Sequence, residues 1–99
     1  MAKTIEVDNK LINTITEGTV VRGNITSPGD FRIDGILEGN IVINGKLVID
    51  RNGKVIGDIS CQNANVIGSV EGNIRVNELL SLNSTASIKG DLVVNKLSI

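Results

Sequence analysis

Few side chains in this sequence could carry chemistry. Among its 99 residues there is no histidine, and Cys61 is the single cysteine. Without an imidazole, Ser-His and Cys-His nucleophile pairs cannot form and the usual zinc sites lose a ligand. Cys61 has no partner for an internal disulfide, so a reducing, cytoplasmic compartment is expected. It also falls in phase with Ile59 in an apolar alternation, which predicts a small buried hydrophobe and not a reactive thiol. Asp58 and Asp91 each follow a glycine and stand alone, whereas a calcium site needs several converging oxygens. Neither GxGxxG nor GxxxxGK[ST] occurs, and the glycines lead into strand-like residues, so no phosphate cradle is expected. Thr14, Thr16 and Thr19 do not extend into the Thr rows of an ice-binding face. The residues predict no enzyme, no cofactor and no metal.

The informative residues are glycines. A pattern of aliphatic, any residue, Gly, Asn or Asp, aliphatic recurs five times: "VRGNI", "LEGNI", "VIGDI", "VEGNI" and "IKGDL". Its glycines, Gly23, Gly39, Gly57, Gly72 and Gly90, are 16, 18, 15 and 18 residues apart. Such a period is too short for helical repeats and too long for one strand, but it suits a coil of three short strands. The spacing predicts an all-β solenoid of about five coils of 15–18 residues, with a domain over 12–99 and a short flexible tail over 1–11. An antiparallel meander competes, because Asn44-Gly45 and Asn52-Gly53 are hairpin signals, but a meander gives no reason for one pentapeptide to recur. A left-handed acyltransferase helix would need a six-residue period and a histidine base, and this chain has neither.

Alternation assigns the faces. Phe31, Ile33, Gly35, Leu37, Gly39, Ile41 and Ile43 form one inward series; Ala64 to Val76 and Ile88 to Val94 form two more. The repeated glycine thus falls at an inward corner, where a side chain is expected to strike the opposite wall. Outside, Asn24, Asn40, Asp58, Asn73 and Asp91 should stack as a hydrogen-bonded ladder. Arg22 should lie over Glu38, and Glu71 over Lys89.

Phe31 is the lone aromatic in a chain that is 40% apolar, so stacked aliphatics must fill a narrow interior. A net charge of −1 gives no general attraction to nucleic acid. The N-terminus has no signal-peptide apolar run. Function is therefore sought at the ends. "GDLVVNKLSI" and "LINTITEGTVV" run to the solenoid ends without a cap pattern, and bare strand edges template the addition of another chain. Ile12, Ile15 and Val20 at one end, and Leu97 and Ile99 at the other, are the candidate self-association residues. Outward aliphatics such as Val42, Val48, Ile56, Leu79 and Val93 could bundle filaments or touch lipid. The competing reading is a monomeric binding module offering one flat face to a protein or glycan.

Over Ile12 to Ile99 the sequence resembles the bactofilin family, most specifically in "RIDGILEGNI" (Arg32 to Ile41) and "TASIKGDL" (Thr85 to Leu92). The resemblance implies a right-handed, triangular parallel β-helix that assembles without nucleotide into non-polar filaments. It further implies a bacterial cytoskeletal role in cell shape, scaffolding cell-envelope or peptidoglycan-remodelling proteins, in the cytoplasm or peripherally at the inner face of the membrane. Family members that bind membranes use an apolar N-terminal tail, for which Ile5 and Val7 are the candidates here.

Overall fold

A computed structural model describes residues 13–99. Ile5, Val7 and Ile12 therefore lie outside the described residues. The described chain is all β. The first coil holds β1 (Asn13–Ile15), β2 (Val20–Arg22) and β3 (Ile25–Ser27), followed by β4 (Phe31–Ile33) and β5 (Ile36–Glu38). Then come β6 (Ile41–Ile49), β7 (Lys54–Ile56), β8 (Ile59–Val66), β9 (Ser69–Glu71), β10 (Ile74–Leu82), β11 (Ser87–Lys89) and β12 (Leu92–Ser98). Every pairing is parallel and joins one coil to the next. The result is a β-solenoid of about five coils with three sides.

The register resolves those sides. Side 1 stacks the β1 segment on β4, then on the second halves of β6, β8, β10 and β12. Side 2 stacks β2, β5, β7, β9 and β11. Side 3 stacks β3 on the first halves of β6, β8, β10 and β12. Ladder register breaks inside the long strands, for example between Ile43 and Lys46, where side 3 turns into side 1.

Corner lengths explain the uneven repeat. The corner between sides 2 and 3 always takes two residues, a glycine and an Asn or Asp. The corner between sides 1 and 2 alternates long and short: 16–19, 34–35, 50–53, 67–68 and 83–86. Each long turn closes on its own backbone, with N–H groups of Thr19, Gly53 and Ala86 donating to carbonyls of Thr16, Asp50 and Asn83 at 3.1, 2.8 and 2.9 Å. The short turns nest between them through Gly35 and Gly68. A Cβ on Gly68 would lie 2.3 Å from the carbonyl oxygens of both Asp50 and Gly53. The corner between sides 3 and 1 also varies, from one residue (Gln62) to three (28–30), so coil length changes at two corners while the glycine corner stays fixed.

At the fixed corner the backbone of Gly39, Gly57, Gly72 and Gly90 is held at φ of 140 to 145°, a region L side chains rarely adopt. A Cβ on Gly57 would sit 2.0 Å from the carbonyl oxygen of Gly39, and the same contact recurs at Gly72 and Gly90. The obstacle is thus the equivalent glycine one coil earlier and not the opposite wall, which corrects the expectation from the sequence. The missing side chain lets consecutive corners approach along the solenoid axis.

The following residue closes the same corner. Backbone N–H groups of Asn40, Asp58 and Asn73 donate to Oδ1 of Asn24, Asn40 and Asp58 at 3.2, 3.1 and 3.4 Å. The ladder is side chain to backbone, and it asks each residue only for an acceptor. That is why Asn and Asp interchange in the repeat. Asp58→Asn should accordingly leave stability within about 0.5 kcal/mol of the parent, while Asp58→Ala should cost roughly 1 kcal/mol. Urea unfolding of the two variants reads the difference.

Inside, the three inward rows make one aliphatic column. Ile33, Leu37, Ile41, Leu47, Ile49, Val55 and Val70 are fully shielded from solvent. Each contributes roughly 1.5–3 kcal/mol relative to exposure. Cys61 belongs to this column, in register with Ile43 and Val76, and burial pushes its thiol up to about 11. A buried thiol with so little thiolate at neutral pH should resist an aromatic disulfide reagent in the native protein and titrate fully in 6 M guanidinium. Rapid native reaction would contradict its place in the core.

Candidate self-association surfaces

The core columns do not finish alike at the two ends. On side 1, Phe31, Leu47, Ala64 and Leu80 succeed one another in register and are buried, and Leu97 is next in line. Leu97 is 48% exposed because no described residue covers its outer edge. Leu92 continues the column of Ile41, Ile59 and Ile74, and is 37% exposed. Ile88 and Val94 end their columns half-buried, and Ile99, two residues past Leu97, is almost fully exposed. The last described layer is therefore aliphatic and in core register, with Leu92, Leu97 and Ile99 exposed.

The N-terminal edge is mixed. Ile15 is buried in register with Ile33, and Val21 and Ile25 are half-buried over Leu37 and Ile41. Two polar residues share the layer. Ser27 holds a core position over Ile43, and its hydroxyl accepts hydrogen bonds from the Asn13 side-chain amide at 3.0 Å and the Gly29 N–H at 3.3 Å. Val20 faces outward in the column of Ile36 and Lys54, and Val21 holds the inward place beside it. Reading the terminal segments for aliphatics selected Leu97, Ile99, Ile15 and Val20 but missed Ile88, Leu92 and Val94. The signal was present in the repeat: Ile88 and Leu92 are the aliphatic positions of the fifth pentapeptide, so they hold core places in the last coil.

Ion pairs stud two of the three sides. Arg22 meets Glu38 at 3.1 Å on side 2, as the register leads one to expect. Glu71 lies in register with Lys89 but pairs with Lys54 of the preceding coil at 3.3 Å, reached diagonally from the neighbouring column. Near side 1, Arg32 bonds Asp34 at 3.0 Å and also holds Asp50. The Asp50 carboxyl is drawn below its usual value first by the Arg51 N–H and then by Arg32. Exposed pairs of this kind set register more than they stabilise. The outward aliphatics are divided among the sides: Val48 on side 1, Ile36 and Ile56 on side 2, Val42 and Val93 on side 3.

Among the described residues, no group of three or more His, Cys, Asp or Glu is placed to hold a metal ion. No helix in that region is long and apolar enough to cross a membrane. What the geometry offers is surface and edge, a stack of parallel coils whose last layer is an unfinished core. That arrangement is a β-solenoid of parallel coils. The sequence matches the family described as "Bactofilin: Polymer-forming cytoskeletal" over residues 13–99, and the chain belongs to that family. It is thus a member of a polymer-forming, structural cytoskeletal family. It is similar to Bactofilin BacN of Myxococcus xanthus (strain DK1622), 42% identical over 48 residues, which is 48% of this chain and 42% of that protein. The similarity thus spans less than half the length of that relative. No solved structure gives a significant match.

Proposed function

We propose that the chain polymerises end to end through its terminal coils, without nucleotide, into filaments that scaffold cell-envelope or cell-shape proteins from the cytoplasmic side. The exposed Leu97 carries this reading. It continues a column whose four preceding members are buried, so its environment is completed by another layer of the same kind. A second protomer supplies that layer, and the polymer-forming character of the family favours it over other covers.

The unlike ends bear on direction. The C-terminal edge is aliphatic and can face a copy of itself, whereas the N-terminal edge combines Ile15, Val21 and Ile25 with Asn13 and Ser27. Like ends meeting like gives two-fold contacts and a filament without polarity. The aliphatic C-terminal contact is then the stronger of the two junctions.

Pelleting purified protein with and without ATP, GTP and EDTA tests the reading. Equal sedimentation in all conditions is expected. Dependence on nucleotide, or a stable monomer at every concentration, would count against it, and the monomer would favour a binding module that displays one side to a partner.

A further inference from the structure

The core columns begin differently from the way they end. In the last layer, Ile88, Leu92, Val94 and Leu97 hold core places, and all are aliphatic. In the first layer, Asn13 heads the column of Phe31 and Leu47, and Ser27 heads the column of Ile43 and Cys61. The two polar residues flank the same corner, between sides 3 and 1, and the Asn13 Nδ2 donates to the Ser27 hydroxyl at 3.0 Å. Ser27 is 6% exposed, and the Gly29 N–H fixes its oxygen from the other side. Asn13 is exposed. The buried hydroxyl therefore holds the exposed amide in place, and the Asn13 Oδ1 and second amide proton face outward along the axis.

If unlike ends meet, every column can continue from one copy into the next. Leu97 then lies on Asn13 and Val94 lies on Ser27. The amide is covered by a leucine that offers neither a donor nor an acceptor, and burying it unpaired is costly. If like ends meet, a two-fold axis through the corner between sides 3 and 1 sets Asn13 of each copy against Ser27 of the other. Amide then faces hydroxyl on both sides of the axis, and each can bond the other. We propose that Asn13, oriented by Ser27, decides which ends join, by penalising the unlike-end junction and not the like-end one. The inference rests on the end-to-end reading and adds to it the residues that select the partner end.

Cysteine cross-linking in the full-length chain tests the selection. The outward column Thr14, Arg32, Val48, Asn65, Ser81, Ser98 would continue from Ser98 of one copy to Thr14 of the next only across an unlike-end junction. The coil spacing of about 4.7–4.9 Å lies within disulfide reach. Thr14→Cys and Ser98→Cys are made in separate chains of distinguishable mass, mixed before assembly and oxidised, with Cys61 shielded in the core. Little mixed dimer is expected from the parent. Asn13→Leu with Ser27→Val should raise its yield at least tenfold. Asn13→Leu alone changes an exposed position and should also raise it, which keeps the test open if the double variant folds poorly. Ser27→Thr keeps the hydroxyl and should match the parent. Abundant mixed dimer in the parent, an unchanged yield in both Asn13 variants, or an equal rise in Ser27→Thr would overturn the proposal. Pelleting of the same chains separates the two readings. Filaments with unchanged mixed-dimer yields fail the selection alone, whereas a parent that never pellets fails the end-to-end reading and the selection with it.

Discussion

Leu97→Lys is expected to abolish filaments at concentrations where the parent assembles, and to leave the fold intact. Leu97 occupies a core column but stands at its outer edge, so the protomer itself gains little from it. In an assembled junction the side chain becomes covered. Removing a buried leucine forfeits roughly 1.5–3 kcal/mol, and an ammonium in its place must also be desolvated. In a two-fold junction the change counts twice. A loss of about 3 kcal/mol per junction raises the dissociation constant about a hundredfold, enough to move the critical concentration beyond the usual range. Ser98→Lys is the control. Ser98 pairs with Ser81 in an outward column one residue away, and its lysine should leave assembly unchanged. Circular dichroism of Leu97→Lys should retain the β signal and its melting temperature within a few degrees. An unaltered critical concentration would remove Leu97 from the interface.

Gly57→Ala is expected to be among the most destabilising single-methyl changes in the described residues. Two penalties coincide. The backbone is fixed at φ 142°, and the new Cβ would lie 2.0 Å from the Gly39 carbonyl oxygen. Backbone strain of this kind costs on the order of 1–3 kcal/mol, and the overlap must further be relieved by separating two coils of a parallel ladder. A total loss above about 3 kcal/mol is expected, a large part of the stability of a small domain. Two other glycines separate the causes. Gly23 has the same sense of φ, at 130°, but nothing within 4 Å of its Cβ position, so Gly23→Ala should show the strain alone. Gly29 also has open space and no such φ, so Gly29→Ala should be close to neutral. The order Gly57 > Gly23 > Gly29 in urea midpoints is the expected result. Equal losses at Gly57 and Gly23 would mean that corner contact between coils is not what demands the glycine.

The architecture was legible because the solenoid imposes its regularity on the sequence one coil at a time. The pentapeptide marks the one corner of constant length, and the odd-numbered apolar series mark the interior. Other features were not legible. The reason for the glycine lies between residues such as Gly39 and Gly57, which are distant in sequence and adjacent in space, so alternation alone pointed to the wrong obstacle. The partner of Glu71 was missed for a similar reason. Lys54 stands one column over and one coil back, and register in a single column does not reveal diagonal reach. At the ends, Val20 and Val21 differ only in phase, and the phase is set by pairing with Ile36 and Leu37.

The central claim is that coils continue from one protomer into the next along a common axis. Electron diffraction or image power spectra of aligned filaments, formed without nucleotide, test it most directly. Strands lying across the filament and stacked along it predict a meridional reflection at about 4.7–4.9 Å. The same spacing found on the equator, with strands stacked across the filament, would contradict end-to-end assembly.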